Sequence, residues 1–178
     1  MESIRDKYKL YGIKNYYQFH GGEYSNPHES AIDNVIRHIY DNWTLDFSNV
    51  LDLMCGDGAV TKTLINLGVE DVEGVDGYLC DLYMKKTGNP CRTISFDNII
   101  EGELDGNYSL VICSYSLHLL EPSKLPVFLY QLGNITKELL ILSPHKKPEI
   151  KIFWEIKNEI VIDRVRATHF HKKIENNF

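Results

Sequence analysis

Residues Val50-Leu51-Asp52-Leu53-Met54-Cys55-Gly56-Asp57-Gly58-Ala59-Val60-Thr61 run from a short apolar stretch through a carboxylate into two glycines one residue apart, and then into a helical pattern. A strand that stops at Gly-x-Gly and turns directly into a helix leaves bare backbone N–H groups at the helix N-terminus. The polar tail of a nucleotide-type cofactor can approach such a turn closely. Turns of this kind are built into open α/β sheets, beyond the carboxyl ends of the strands.

The rest of the chain reads as such a sheet. Asn26-Pro27-His28-Glu29 predicts a helix start, with Asn26 as N-cap, Pro27 at the first helical position and Glu29 reaching back as in a capping box. Ala31, Ile32, Val35, Ile36, Ile39 and Tyr40 then recur at helical spacing, to about Asn42. Short apolar strands are expected at Asn49 to Met54, Asp71 to Val75, Arg92 to Phe96, Tyr108 to Cys113 and Glu138 to Leu142. Between them lie helical patterns from Ala59 to Leu67, Leu79 to Lys86 and Lys124 to Leu132, ending at Gly68, Gly88 and Gly133. This alternation predicts βαβ units and a parallel sheet covered on both faces. After Pro148 the period falls to two. Ile150, Ile152, Trp154 and Ile156, then Ile160, Ile162, Val165 and Ala167, predict two antiparallel strands that meet near Ile162-Asp163 and close one sheet edge. The expected fold class is α/β, a three-layer sandwich with a mostly parallel seven-stranded sheet, helices on both faces, and a C-terminal antiparallel β-hairpin.

At 178 residues, without repeats or linker-like stretches, the chain is expected to form one domain over 1–178. Its core would span 28–172. The aromatic segment 1–27, with Tyr8, Tyr11, Tyr16, Tyr17, Phe19, His20 and Tyr24, would serve as a lid. No apolar run approaches the roughly 20 residues that span a bilayer, and the start Met1-Glu2-Ser3-Ile4-Arg5 lacks a signal-peptide pattern, so a cytoplasmic protein is expected, the nucleus being open too. Cys55, Cys80, Cys91 and Cys113 show neither C-x-x-C nor zinc spacing and read as free buried thiols. A net charge of −6 speaks against a general basic field for nucleic acid. His169-x-His171 has no third ligand at a suitable spacing, so it reads as polar residues on an edge strand, and no metal is expected.

Val72-Glu73-Gly74-Val75-Asp76 places a second strand-end carboxylate 20 residues after Gly56, where a ribose-binding acid belongs. A dinucleotide fingerprint would need a third glycine where Thr61 stands, which argues against NAD. With these residues the sequence resembles the class I, seven-stranded S-adenosylmethionine-dependent methyltransferases of the small-molecule type. The first motif is Asp52 to Gly58, with Met54 in place of the family's first glycine. Gly74-Val75-Asp76, Ile94-Ser95-Phe96-Asp97 and Tyr108 to Leu120 are similar to the later motifs. The resemblance implies S-adenosyl-L-methionine as cofactor, held by Asp52, Met54, Cys55, Gly56, Gly58, Asp76, Gly77, Asp97 and Ser114.

Methyl transfer needs alignment and a proton acceptor. After the fourth strand His118, Tyr115 and Ser114 are the catalytic candidates, with His118 titrating near neutral pH. The Asn-Pro-Pro-Tyr motif of the exocyclic-amine methyltransferases is absent, and Cys113-Ser114-Tyr115-Ser116 stands in its place. Tyr16, His20, Tyr24 and His28 before the first helix, and His145 and Lys146 on the proline-framed loop after the fifth strand, are the substrate-binding candidates. The expected partner is a small or modest-sized methyl acceptor at oxygen, nitrogen or sulfur. Two alternatives stay open: a non-catalytic cofactor-binding subunit with a protein partner, and an enzyme that modifies RNA.

Overall fold

The computed structural model describes residues 24–144 and 149–173. In chain order the elements are α1 (Glu29–Asn42), β1 (Val50–Leu53), α2 (Ala59–Asn66), β2 (Val72–Asp76), α3 (Cys80–Thr87), β3 (Cys91–Thr93), α4 (Phe96–Ile100), β4 (Leu110–Ser114), a 3₁₀ turn (Leu117–Leu119), α5 (Leu125–Ile135), β5 (Glu138–Ser143), β6 (Trp154–Ile162) and β7 (Val165–Lys172). The strands form one seven-stranded sheet in the order β3-β2-β1-β4-β5-β7-β6. Its first five members are parallel, and β7 runs antiparallel to both β5 and β6. Because β1 lies between β2 and β4, the winding reverses there. That is the switch point beyond which open α/β sheets bind ligands.

Strand alternation divides the side chains between two cores. One face buries Val50, Val72, Leu110, Ile112, Leu140 and Leu142 against Ile32, Val35, Ile36 and Ile39 of α1 and Val60 and Leu64 of α2. The other buries Leu51, Leu53, Val75, Val111, Leu139 and Ile141 against Ile99 of α4 and Phe128, Leu129 and Leu132 of α5. The terminal hairpin turns at Asp163 and Arg164, both at positive φ (49° and 65°), as a two-residue turn between right-twisted strands requires. No helix among the described residues is long and apolar enough to cross a membrane.

Several expectations are corrected. The strand expected from Arg92 to Phe96 ends at Thr93, because Ser95 caps a short helix: its Oγ accepts from Asn98 N (3.3 Å), and Asn98 Oδ1 accepts from Ser95 N (3.0 Å). Helix α5 runs through Gly133 to Ile135. Gly133 is not a stop but a crossing point, where Lys172 Nζ donates to Gly133 O (2.6 Å) and an added Cβ would lie 3.1 Å from Lys172 Cε. Helix α1 begins at Glu29 rather than Pro27, since Asn26 Oδ1 accepts from His28 N (2.9 Å) in an Asx turn, and Glu29 pairs with Lys62 of α2 instead of reaching back.

Two side-chain readings also change. Strand β7 is interior, so His169 is buried rather than outward-facing. Its Nε2 lies 2.5 Å from Glu138 Oε2, and His171 Nδ1 lies 2.6 Å from Glu138 Oε1. Asn158 Nδ2 lies 3.3 Å from His169 Nδ1 on the ring's other side. Among the described residues no three His, Cys, Asp or Glu are placed to hold a metal ion. The cysteines are not all thiols: Cys80 and Cys91 form a disulfide, leaving Cys55 and Cys113 free and buried.

Between β5 and β6 there is no helix among the described residues. Trp154 fills that face, 1% exposed, with Nε1 donating to Leu129 O (3.2 Å). Trp43 lies on the opposite side of the hairpin, its ring 6.3 Å from that of His169.

Candidate active site

The turn from β1 into α2 is left-handed at Met54 (φ 55°), Gly56 (58°) and Gly58 (82°). Met54 thus adopts the backbone that a glycine would take at this place, at a cost of about 1–2 kcal/mol. The two glycines serve different purposes. A Cβ on Gly58 would lie 2.4 Å from Thr87 Cγ2 and 3.2 Å from Tyr83 Cδ2, so this glycine lets α2 and α3 approach. A Cβ on Gly56 would meet, among the described residues, Tyr24 Cε1 at 3.6 Å. Gly56 therefore leaves bare backbone facing outward.

Two carboxylates brace the turn. Asp52, 1% exposed, accepts from Thr61 Oγ1 (2.7 Å) and Thr61 N (3.3 Å), and Thr61 Oγ1 is 2.9 Å from Tyr83 OH. Burial pushes the Asp52 carboxyl up to about 7, against the opposing pull of the Thr61 hydrogen bonds. Asp76 Oδ2 accepts from Gly56 N (3.1 Å), while its Oδ1 accepts from Tyr78 N (2.8 Å) and Leu79 N (3.0 Å). One side chain thereby joins the ends of β1 and β2. Burial raises its carboxyl, and the backbone N–H groups of Tyr78, Gly56 and Leu79 work in the other direction. A carboxylate offers about four acceptor positions, so three donors leave one unused.

A third carboxylate, Asp57, was not singled out from sequence. It is fully buried, and its Oδ2 accepts from Lys86 Nζ (2.8 Å) and Asn26 N (3.3 Å), while Oδ1 has no partner among the described residues. Lys86 Nζ also donates to Tyr24 O (3.3 Å). The pair fastens residues 24–28 across the strand ends, where the Tyr24 ring lies by Gly56 and His28 stacks on Tyr115 (4.3 Å, 18° between planes). Lys86 sits in the last turn of α3, where a lysine ordinarily reads as solvated.

After β4, Tyr115 is left-handed (φ 53°) and its N–H donates to Leu142 O (2.9 Å). Ser114 Oγ is buried without a partner among the described residues. His118 occupies the following 3₁₀ turn with an exposed side chain. Across the mouth, a Cβ on Gly77 would lie 3.2 Å from Ser95 Cβ, which brings the β2–α3 turn against the start of α4. There Asp97 is exposed and its Oδ1 accepts from Lys124 Nζ (2.8 Å). Burial, then the Asp97 and Asp76 carboxylates, push up the phenol of Tyr78, a residue that no sequence signal singled out.

Of the sequence-predicted residues, Met54, Cys55, Gly56, Gly58, Asp76, Gly77, Ser114, Tyr115, Tyr24 and His28 come together around the ends of β1, β2 and β4. Asp52 supports them from within. Asp97 and His118 stand on exposed flanks, and Tyr16, His20, His145 and Lys146 lie outside the described residues. A depression of about 620 Å³ lined by Tyr40, Leu45, Phe47 and Val69 lies at the amino ends of the strands, away from this constellation.

No model of a known protein family matches the chain. In an alignment 229 positions long it is 31% identical to the uncharacterized protein C17A5.05c of Schizosaccharomyces pombe, with 96% of this chain and 92% of that protein covered. Among solved structures, the magnesium protoporphyrin IX methyltransferase of Synechocystis PCC 6803 with bound S-adenosylmethionine superposes with a TM-score of 0.67 at 15% identity, over 97% of this chain and 100% of that one. The ribosomal protein L11 methylase of Lactobacillus delbrueckii gives 0.61 at 12% identity, over 85% and 81%. TehB of Haemophilus influenzae gives 0.58 at 18% identity, over 89% and 68%.

Proposed function

We propose that this chain, which belongs to the family of the uncharacterized Schizosaccharomyces pombe protein C17A5.05c and has the class I S-adenosylmethionine-dependent methyltransferase fold, holds S-adenosylmethionine at the ends of β1 and β2 and transfers a methyl group to a small or modest-sized acceptor. The observation that carries this reading is Asp76, whose carboxylate sits beside the bare Gly56 backbone with one acceptor position in reserve. A ribose hydroxyl is the kind of donor that would fill it.

When bound, the cofactor supplies an electrophilic methyl group on a sulfonium sulfur that leaves as a neutral sulfide. Asp76 binds the ribose, the backbone of Met54, Cys55 and Gly56 takes the polar amino-acid tail, and Gly77, Tyr78 and Asp97 border the base. Ser114 brings to the mouth a hydroxyl without a partner among the described residues. Tyr115, stacked on His28, is placed to orient the acceptor, and His118 to take its proton. Tyr24 and His28, with Tyr16, His20, His145 and Lys146, select the acceptor and exclude water. Neighbours of this fold act on a porphyrin and on a ribosomal protein, and the short connections between the elements of this chain suit a small or modest-sized acceptor.

Calorimetric titration with S-adenosylhomocysteine tests the cofactor assignment, and saturable binding is expected. NAD binding in its place would sink it. His118→Asn tests the base: the turnover rate should fall far more than cofactor affinity, and the parent's rate should fall as pH drops through the imidazole range, since only the neutral ring accepts a proton. Tight cofactor binding without methyl transfer to metabolites, peptides or RNA would favour a non-catalytic subunit.

A further inference from the structure

We infer that Cys55, Cys80 and Cys91 form a thiol–disulfide relay that controls the shape of the cofactor-holding turn, an inference that rests on the cofactor reading above. The disulfide joins Cys80, the first residue of α3, to Cys91, the first residue of β3. The Cys55 Sγ lies 3.8 Å from the Cys91 Sγ, so three sulfurs form a continuous line. That line runs directly beneath the site. Cys55 immediately precedes Gly56, whose N–H is held by Asp76, and Cys55 N itself donates to Val75 O (3.0 Å). At the other end, Cys80 Sγ sits 3.4 Å from Asp76 O, and Cys80 follows the Tyr78-Leu79 turn that Asp76 caps.

The exchange this geometry allows balances without an external oxidant. The Cys55 thiolate attacks the Cys91 sulfur, a Cys55–Cys91 bond forms, the Cys80–Cys91 bond breaks, and Cys80 leaves with the electron pair and then takes a proton. Cys55 and Cys80 are buried while residue Cys91 is partly exposed, so attack by an external dithiol is expected at Cys91. Reduction by such a dithiol, itself oxidised to a disulfide, frees both thiols. Burial, and then the Asp52 and Asp76 carboxylates, raise the Cys55 thiol well above its ordinary value, which makes its thiolate scarce and the exchange slow. With the Cys80–Cys91 bond in place, α3 and β3 hold the Asp76 turn rigid. With it broken or moved to Cys55, the two turns that Asp76 joins are no longer fixed relative to each other. Buried cysteines often serve only as apolar filler, and Cys113, buried on the other face against Ser116 Oγ (3.1 Å), provides the internal control for that role.

The test uses the full chain, prepared oxidised and after reduction with a phosphine. Peptide mapping of the oxidised protein should give a Cys80–Cys91 crosslink. Reduction should weaken S-adenosylhomocysteine binding at least three-fold in calorimetry, and residues 74–80 should lose hydrogen-exchange protection. Cys80→Ser should bind like the reduced parent, ignore the phosphine, and on exposure to glutathione disulfide yield a Cys55–Cys91 crosslink while Cys113 stays unmodified. Absence of the Cys80–Cys91 crosslink, or equal affinity and equal exchange in both states of the parent, would overturn the relay. If neither state binds S-adenosylhomocysteine, it is the cofactor reading that fails. Exchange over 74–80 in the parent then decides whether the bond controls the turn, and if the serine variant does not fold, the presence or absence of a minor Cys55–Cys91 crosslink in the oxidised parent supports or overturns the Cys55 step.

Discussion

Toward the amino ends of the strands, Arg92 Nη1 donates to Asp105 Oδ1 (2.7 Å), Nη2 donates to Tyr108 OH (2.7 Å), and Nε lies 2.7 Å from Glu73 Oε1, though not aligned for a hydrogen bond. Tyr108 OH in turn donates to Glu73 Oε2 (2.5 Å). Ser109 Oγ accepts from Asn49 N (3.0 Å) and lies 2.8 Å from Asp46 O. At the carboxyl ends the same sheet carries two left-handed non-glycine residues, Met54 and Tyr115, and two buried oxygens without partners among the described residues, Asp57 Oδ1 and Ser114 Oγ. This network ties the strands to one another, with Arg92 Nε its one buried nitrogen lacking a hydrogen bond among the described residues. The buried oxygens with unused acceptor capacity collect at the carboxyl ends, where a ligand's donors would complete them.

The contrast can be broken first at Gly58, which sits at the carboxyl end but serves packing. Gly58→Val forces a branched side chain into Thr87 and Tyr83 from a left-handed backbone, and should lower stability by about 3–5 kcal/mol in thermal or urea unfolding. A variant as stable as the parent would mean that α2 and α3 are not held together there. Asp76→Ala should weaken S-adenosylhomocysteine binding by about 1.5–3 kcal/mol, and an unchanged Kd would move the site away from β2.

Asp52 supplies a pH signature. Its carboxyl is raised from 3.8 to about 7 in the folded chain, so between those values the folded state keeps a proton that the unfolded state releases. Stability contributed by the protonated form is complete below pH 3.8 and is lost as pH rises toward 7, with a limiting slope of about 1.4 kcal/mol per pH unit. Urea midpoints of Asp52→Asn should lack that component, and parallel profiles for variant and parent would refute it. The smallest effect belongs to the amino end. Tyr108→Phe should cost about 1 kcal/mol of stability through its lost hydrogen bonds while leaving S-adenosylhomocysteine affinity untouched. A change in affinity would show that the two ends are coupled.

How much of this was legible beforehand depended on whether the signal was local. The β1 turn, the acid after β2, the alternation and the hairpin near Ile162-Asp163 are written in neighbouring residues, and they appear near where the pattern puts them, although β6 starts at Trp154 rather than at Ile150. Gly133 misled because its role depends on Lys172, 39 residues away. Ser95 ended β3 early through a cap that apolar content alone does not reveal. The Asp57–Lys86 clasp and the Cys80–Cys91 bond each join residues from different elements, and no spacing rule announces them. The burial of His169 followed from β7 entering the sheet between β5 and β6, an ordering that the period-two pattern leaves undetermined.

The chain's two tryptophans give the hairpin an optical readout from both sides. Trp154 is sealed against α5 with its indole N–H bonded to Leu129 O, whereas Trp43 closes the end of α1 near the His169 ring. Trp43→Phe leaves a single emitter in an apolar, solvent-free setting, and its spectrum would shift to the red only when α5 separates from β6. Trp154→Phe leaves one whose intensity responds to the imidazole beside it. Recorded during urea unfolding, the two traces would show whether the layers on either side of the last two strands dissolve together or in turn.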